Sequence, residues 1–437
     1  MKTKGRNYRF ELSMAAALLL TAWAGTGWAA GHAVLGIDGP NFTFTAKDGH
    51  INTSDGNSIY MWGYAQGSGP GAVMQYPGPT MIVNQGDVVT VTLYNELPVP
   101  TSLTFPGQNV SASGGTAGLL TQEAPAVGAP GGPVTYTFTA TEPGTYLYYS
   151  GTQWDLQNEM GLVGALIVRP TGFDSETIVG RRAYEHADSQ YDQEFLFFLT
   201  DMDEKIHDQV ELQVLQRQPI EVDMTTWYHQ YWFINGRSGM DTVLPAGATW
   251  LPNQPYDGMA VFHPGDRVLM RVIGAGREAH PFHFHGNHAL VIARDGRPLS
   301  SSPGAGADLA YKQFTTPSAP GTTYDQIYTW TGAGLGWDIY GHTSTNDALQ
   351  PFEYEPDHGK PFPVKLPPEQ DITFGQMYSG SPFMGAIGTL PPGEGGFNPG
   401  AFFYMWHSHN ERELCDGNIF PGGMLTFAII LPNPPPL

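Results

Sequence analysis

The sequence is poor in cysteine, in basic residues and in long apolar runs. One cysteine among 437 residues cannot close an intramolecular disulfide, so no disulfide framework holds the fold. Lys and Arg number 20 against 41 Asp and Glu, a formal net charge of −21. That balance excludes a non-specific phosphate-backbone binder, which needs clustered positive charge, and no nucleic-acid partner is expected. A bilayer-spanning helix needs about 20 apolar residues, and no segment beyond the N-terminus offers them. Sustained helical periodicity is scarce as well, and Ser189–Gln218 is the stretch that reads least clearly. What the chain does have is 55 Gly, 37 Pro, 41% hydrophobic and 12% aromatic residues. That composition suits a loop-heavy β protein with a full core and excludes wholesale disorder.

The first thirty residues read as an address. Lys2, Lys4, Arg6 and Arg9 precede an apolar run from Met14 to Ala24, and small residues follow at Gly25, Gly27, Ala29 and Ala30. This is the pattern of a secretory signal peptide, here residues 1–30. Its removal takes away four basic residues and only one acidic residue, Glu11, so the exported chain is more acidic still. A periplasmic or secreted location follows as the expectation.

Beyond that segment, short strands are expected. Val89, Val91 and Leu93 face one way and Thr90 and Thr92 the other; Val268, Met270 and Val272 alternate with Arg267, Leu269 and Arg271. Further strands are read at Ile59–Tyr64, Val134–Thr139, Thr145–Tyr149, Gly164–Val168, Phe195–Leu199, His288–Ala293, Ala401–Trp406 and Leu425–Leu431, separated by Gly- and Pro-rich punctuation. The expected fold is all-β, with antiparallel sandwiches. An internal duplication organises them. Gln85-Gly-Asp-Val-Val and Thr101 to Gln108 match Pro264-Gly-Asp-Arg-Val and His280 to Asn287. Pro143 to Gly151 matches Pro399 to His409, and Met160 to Val168 matches Gly422 to Ile430. Self-similarity of this kind implies two copies of one fold. The boundaries fall at 31–175 and 176–437, the second copy carrying a long insertion over 300–395 that leaves a three-domain division open.

The chemistry gathers in the second copy. His283 and His285 stand two apart, as do His407 and His409. On a strand, such pairs point to the same face, so both can reach one metal. Aromatic neighbours Phe282, Phe284, Tyr404 and Trp406 would keep that face dry, and a dry imidazole cluster suits copper or zinc. Glu411 and Glu413 follow the second pair as optional oxygen ligands or proton relays. His288 reads as a strand residue. His32, His50, His186, His207, His229, His263, His342 and His358 are scattered and read as surface or structural.

His280-Pro-Phe-His283-Phe-His285-Gly resembles the His-Pro-x-His-x-His-Gly motif of the multicopper oxidases. Pro77-Gly-Pro-Thr80 with Asn84-Gln-Gly-Asp87, and Gly161 to Val168, are similar to the opening and closing strands of that family's first domain. The resemblance implies two tandem cupredoxin-like Greek-key β-sandwiches, copper as cofactor and an oxidoreductase activity. It maps four ligands of a copper cluster onto His283, His285, His407 and His409, and a blue-copper histidine onto His280. The first-domain ligand positions become Thr104, Pro106, Tyr149 and Gly151, of which only a Tyr149 phenolate could bind copper(II). The remaining blue-copper positions become Ser408 and Glu413. Ser cannot supply the soft thiolate that defines such a site; Cys415, seven residues on, is the one candidate for rebuilding it with His280 and Met424. Two readings follow: an exported copper oxidoreductase of reduced or atypical copper content, with a small reducible substrate or an electron-transfer partner, or a non-enzymatic copper-binding scaffold. By likeness to two-domain relatives, a homotrimer is the implied assembly.

Overall fold

The computed structural model of the protein describes residues 32–342, 344–361, 383–384 and 402–431. The signal-peptide reading and most of the second half of the insertion, over 362–395, lie outside the described residues. Among those described, the strands form two pairs of sheets and one small two-stranded sheet, Thr116–Ala117 with Gln122–Glu123.

The first pair uses residues from Ile37 to Arg169. A four-stranded sheet runs Ile37–Asp38, Gly78–Asn84, Val163–Arg169, Gly144–Tyr149. A six-stranded sheet faces it, in the order Met74–Gln75, Ser58–Gln66, Asn41–Asn52, Val88–Asn95, Val134–Thr139, Ser111–Gly114. The alternation seen in the sequence around Val88 is what fills the space between them: Val89, Val91 and Leu93 are buried with Phe44, Trp62, Tyr136, Tyr148 and Leu166. The second pair repeats the plan. One sheet orders Tyr231–Ile234, Gln193–Met202, Val268–Gly274, Thr323–Tyr328 and Ala289–Arg294, with Arg297–Pro298 and Tyr311–Gln313 at its edge. The other orders Ala260–Phe262, Leu425–Ile430, Phe402–Ser408, His280–Phe284, Thr315–Ser318. An aromatic core separates them, built on Phe197, Phe262, Phe282, Phe284, Tyr328 and Trp406.

Two features depart from the sequence reading. The sheets are mixed rather than antiparallel. Val163–Arg169 lies parallel to Gly78–Asn84, Asn41–Asn52 parallel to Val88–Asn95, and Gln193–Met202 parallel to Val268–Gly274. Alternation along one strand reports which side is buried and carries no signal about the direction of the neighbour, so this could not be read from periodicity. The unclear stretch around 189–218 holds both a strand, Gln193–Met202, and a helix, Glu204–Leu215. The helix starts where the Asp203 carboxylate accepts the Lys205 N–H at 3.1 Å. It packs Ile206 and Val210 onto the core of the first sandwich.

The two sandwiches meet across an apolar patch and a buried ionic knot. Met61, Tyr76, Leu147 and Val163 from the first touch Phe198, Tyr231, Phe233 and Ile273 from the second. Beside them, Arg169 donates two hydrogen bonds to the Glu194 carboxylate, at 2.5 and 2.7 Å. Arg271 donates to the same carboxylate at 2.6 Å and to Thr145 Oγ1 at 2.7 Å, and Asp325 stands 3.4 Å from its Nη1. The period-2 pattern puts Arg271 opposite the core face of its strand, and the other sandwich covers that side, leaving the residue fully buried. Burial alone would raise the Glu194 carboxyl, yet the two guanidinium groups hold it well below the usual carboxylate range.

Removing one partner from such a knot strands buried charge. Glu194→Gln should destabilise the folded protein by about 3–5 kcal/mol. Urea unfolding of the full chain measures this, and a loss under about 1 kcal/mol would mean that water reaches the knot.

Candidate metal centre

Two strands present the imidazoles. His280–Phe284 pairs antiparallel with Phe402–Ser408, in a register that sets Phe282 opposite Ser408, His283 opposite His407 and Phe284 opposite Trp406. The apolar members of this alternation face the core: Phe282, Phe284 and Trp406 are fully buried. The imidazoles are carried to the other face. Past the strand end, His285 still bonds the ladder, its N–H donating to the Met405 carbonyl at 3.2 Å. Its own carbonyl accepts from Trp406 Nε1 at 3.1 Å and from the Tyr328 hydroxyl at 3.2 Å. The turn then needs Gly286, with φ of 104° and no room for a Cβ, which would fall 2.3 Å from the Tyr328 hydroxyl.

His283, His285 and His407 offer one nitrogen each within 4.8 Å of one another. The Nε2 atoms of His285 and His407 stand 3.2 Å apart. His407 Nδ1–H donates to the Ser408 carbonyl at 2.6 Å, which leaves its Nε2 with a bare lone pair pointing at the cluster. His283 Nδ1 is hydrogen-bonded to Thr315 Oγ1 at 2.8 Å. Burial, then the mutual charge of the neighbouring rings, pushes His283 down to about 3 and His285 down to about 4; burial lowers His407 too. The cluster therefore consists of neutral imidazoles at physiological pH, the form that binds a metal. His409 stands at the rim, its ring centroid 4.9 Å from that of His283 and its side chain 54% exposed, with Glu411 beside it at 3.7 Å. His288 lies against Phe314, at the edge of the site.

His280 is not part of this group. It points into the interior, where its two ring nitrogens donate to Glu413 Oε2 at 2.9 Å and to Asp201 Oδ2 at 2.8 Å. Burial opposes a charge there, but the hydrogen bonds and the two carboxylates outweigh it and push His280 up to about 9. Glu413 is thus tied to His280 and, through Oε1, to Asn410 Nδ2 at 2.8 Å. Cys415 is a free, half-buried thiol and joins no group of metal-ligating side chains among the described residues.

Next to Asp201 lies a buried cluster that the sequence reading passed over. His229 Nε2 stands 3.1 Å from Asp201 Oδ1 and 3.5 Å from Glu159 Oε2, with His207 and Arg277 on the other sides of Glu159. These residues come from five separate segments, and no local spacing announces them.

The first copy shows the same pairing with other side chains. Thr104 and Tyr149 form an antiparallel bridge, as His283 and His407 do in the second copy. The Thr104 hydroxyl donates to the Tyr149 carbonyl at 3.0 Å, and Gly151 N–H donates to Ser102 Oγ at 3.1 Å. A Cβ on Gly151 would lie 2.6 Å from Thr104 Cγ2, so the space is shut.

The doubly paired His280 makes a pH prediction. Its pKa in the folded protein, about 9, exceeds the ordinary 6.5, so it binds its proton more tightly when folded. The resulting stability is complete below about pH 6.5 and is lost as pH rises through about 9. Thermal unfolding from about pH 6 to about pH 10 should show Tm falling over the upper part of that range, and His280→Gln should flatten the fall. An unchanged slope in the variant would assign it to other groups.

Comparison with known proteins completes the picture. The domain model of the multicopper oxidases matches residues 58–172. A probable nitrite reductase-hydroxylamine oxidoreductase fusion protein of Kuenenia stuttgartiensis is 27% identical over 251 residues, 56% of this chain and 24% of that protein. The iron transport multicopper oxidase of Gibberella zeae is 30% identical over 227 residues, 51% of this chain and 30% of that protein. The chain thus spans less than a third of either relative. Among solved structures, the blue copper oxidase of Nitrosomonas europaea superposes with a TM-score of 0.53 at 20% identity, covering 89% of this chain and 85% of that one. The multicopper oxidase mgLAC gives 0.54 at 20% identity, covering 91% and 87%. At that identity the likeness is one of fold, and the fold is two tandem cupredoxin-like sandwiches. The segment that the multicopper oxidase domain model matches lies in the copy without the paired histidines, and the shared fold extends over the copy that has them.

Proposed function

We propose that the protein is an exported copper-binding oxidoreductase of reduced copper content, with copper held by His283, His285 and His407 and with His409 at the rim. In this reading residues 1–30 are the signal peptide, 31–175 the domain that has lost its ligands, and 176–437 the domain that binds metal. The observation that carries it is the facing pair of nitrogens on His285 and His407, 3.2 Å apart, with His283 beside them and all three held neutral. The donor set fits copper: imidazole nitrogens over a dry aromatic floor of Phe282, Phe284 and Trp406. Bound there, copper supplies one-electron redox chemistry. The chain's own part is to hold the imidazoles deprotonated, to fix the His407 tautomer through Ser408, and to leave an approach past exposed His409 for a small reducible substrate or an electron-transfer partner.

A second reading has an observation of its own. His280 has both nitrogens occupied and Ser408 replaces the thiolate, so the family's blue-copper relay has no ligands here. A copper-binding scaffold that stores or passes on the metal without turnover fits that loss. The shut face around Thr104 and Gly151 also bears on assembly: in a homotrimer, a neighbour's first domain would cover the cluster without adding imidazoles.

Copper content and turnover separate these readings. The copper-loaded full chain should carry about one copper at this cluster, and its visible spectrum should lack an intense blue thiolate band. His283→Ala together with His407→Ala should weaken copper binding by at least about tenfold. Full occupancy in that variant would put the metal elsewhere. Oxygen or nitrite consumption with a small reductant, present in the wild type and absent in the variant, supports the oxidoreductase; copper bound without turnover supports the scaffold.

A further inference from the structure

The insertion in the second copy brings together four side chains that the proposed copper cluster does not use. Asp338, His342, Glu353 and His358 present one ligand atom each, all within 4.8 Å of one another. The atoms alternate in type around a closed ring. His342 Nδ1 stands 2.8 Å from Asp338 Oδ2 and 3.5 Å from Glu353 Oε1; His358 Nδ1 stands 2.7 Å from Glu353 Oε1 and 3.6 Å from Asp338 Oδ2. A tetrahedral shell with ligands about 2.0–2.1 Å from the metal has edges of about 3.3–3.4 Å. The four edges here scatter around that value, so a small contraction on two sides and expansion on two would close the shell.

Three of the four ligands are also held by further hydrogen bonds. Asp338 accepts N–H bonds from Tyr340 at 2.8 Å and from Gly359 at 2.7 Å. Glu353 accepts from the Gln350 N–H at 2.8 Å through its other oxygen. His358 Nε2–H donates to the Asp347 carbonyl at 3.1 Å, which fixes the ring with Nδ1 turned inward. A ring anchored by a backbone carbonyl on its far nitrogen is how proteins orient a metal-ligating histidine. The Asp338 side chain is fully buried and that of Glu353 is 3% exposed. The two carboxylates bring two negative charges, which one divalent cation would neutralise. The backbone around them is irregular; among the described residues from 331 to 361, the one regular element is the short turn Glu355–Asp357. Leu335, Trp337 and Ile339 pack this segment onto the core of the second sandwich, and a metal would join its two arms.

We propose that Asp338, His342, Glu353 and His358 form a closed, four-coordinate structural site for a zinc ion. The mixed nitrogen and oxygen set suits zinc, and four protein ligands leave no open position for catalysis. The site is separate from the His283 cluster. The insertion is anchored by Trp330, which packs on Phe402, and Phe402 lies five residues before His407, about 16 Å along the strand.

The test uses the full chain carrying His283→Ala and His407→Ala, so that the proposed copper cluster cannot answer for the insertion. Stripped of metal and titrated with zinc alone, this protein should bind about one ion per chain. Cobalt(II) in its place should give the strong visible bands of tetrahedral coordination. Adding Glu353→Gln, which preserves shape, should weaken zinc binding at least tenfold, as should His342→Ala with His358→Ala in a separate protein. Circular dichroism confirms that each variant is folded. Unchanged zinc affinity in either folded variant, or a six-coordinate cobalt spectrum, would overturn the assignment. Copper binding by the chain with the wild-type His283 cluster reads that other site independently.

Discussion

The site depends on one backbone register. His283 faces His407 across an antiparallel pair of strands, and a slip of one residue on either strand would send one imidazole to the core side and bring an aromatic ring outward. The register is enforced from below rather than by the histidines themselves. Phe282, Phe284, Trp406 and Tyr328 form a tightly packed floor, with ring centroids of Tyr328 and Trp406 only 5.2 Å apart. Their burial supplies the free energy that neutral, desolvated imidazoles cannot. The histidines are passengers on a strand pair that the aromatic core has already fixed.

The same framework holds His280 in a different setting. Where the family pattern has a blue-copper histidine, His280 is still present and still buried, but two carboxylates hold it as a cation. A buried imidazole needs some partner for each nitrogen, and Asp201 and Glu413 satisfy that need once the thiolate position has become Ser408. Asp201 is in turn the hub of a larger group with His229, Glu159 and Arg277. In this group, charge is balanced between side chains. In the first copy the solution is different: small and hydroxylated residues simply close the gap.

Legibility in the sequence followed from how local each signal was. The duplicated strands, the HxH pairs and the aromatic floor are local patterns with period 2, and they placed His283, His285 and His407 on one face. The fate of His280 was not local. Its partners Asp201 and Glu413 sit 79 and 133 positions away, and a His-Pro start to a ligand motif reads identically whether it holds metal or a carboxylate. His342 and His358 read as scattered because their spacing of sixteen, interleaved with Asp338 and Glu353, matches no strand or helix period. Only the folding of an irregular loop brings them together. Arg271 was legible as a residue on the outward side of its strand, yet nothing local said that this side is covered by a second sandwich.

The closed corner at Gly151 limits what a single substitution could do. A histidine placed there alone would drive its Cβ into Thr104, whose hydroxyl is already committed to the Tyr149 carbonyl. A histidine placed at 104 alone would face an unmatched Tyr149 across the bridge. Neither substitution gives a ligand pair by itself, and each carries its own steric or pairing cost. An imidazole pair at this bridge would therefore take several coordinated changes, and no single substitution turns this half of the chain into a metal site.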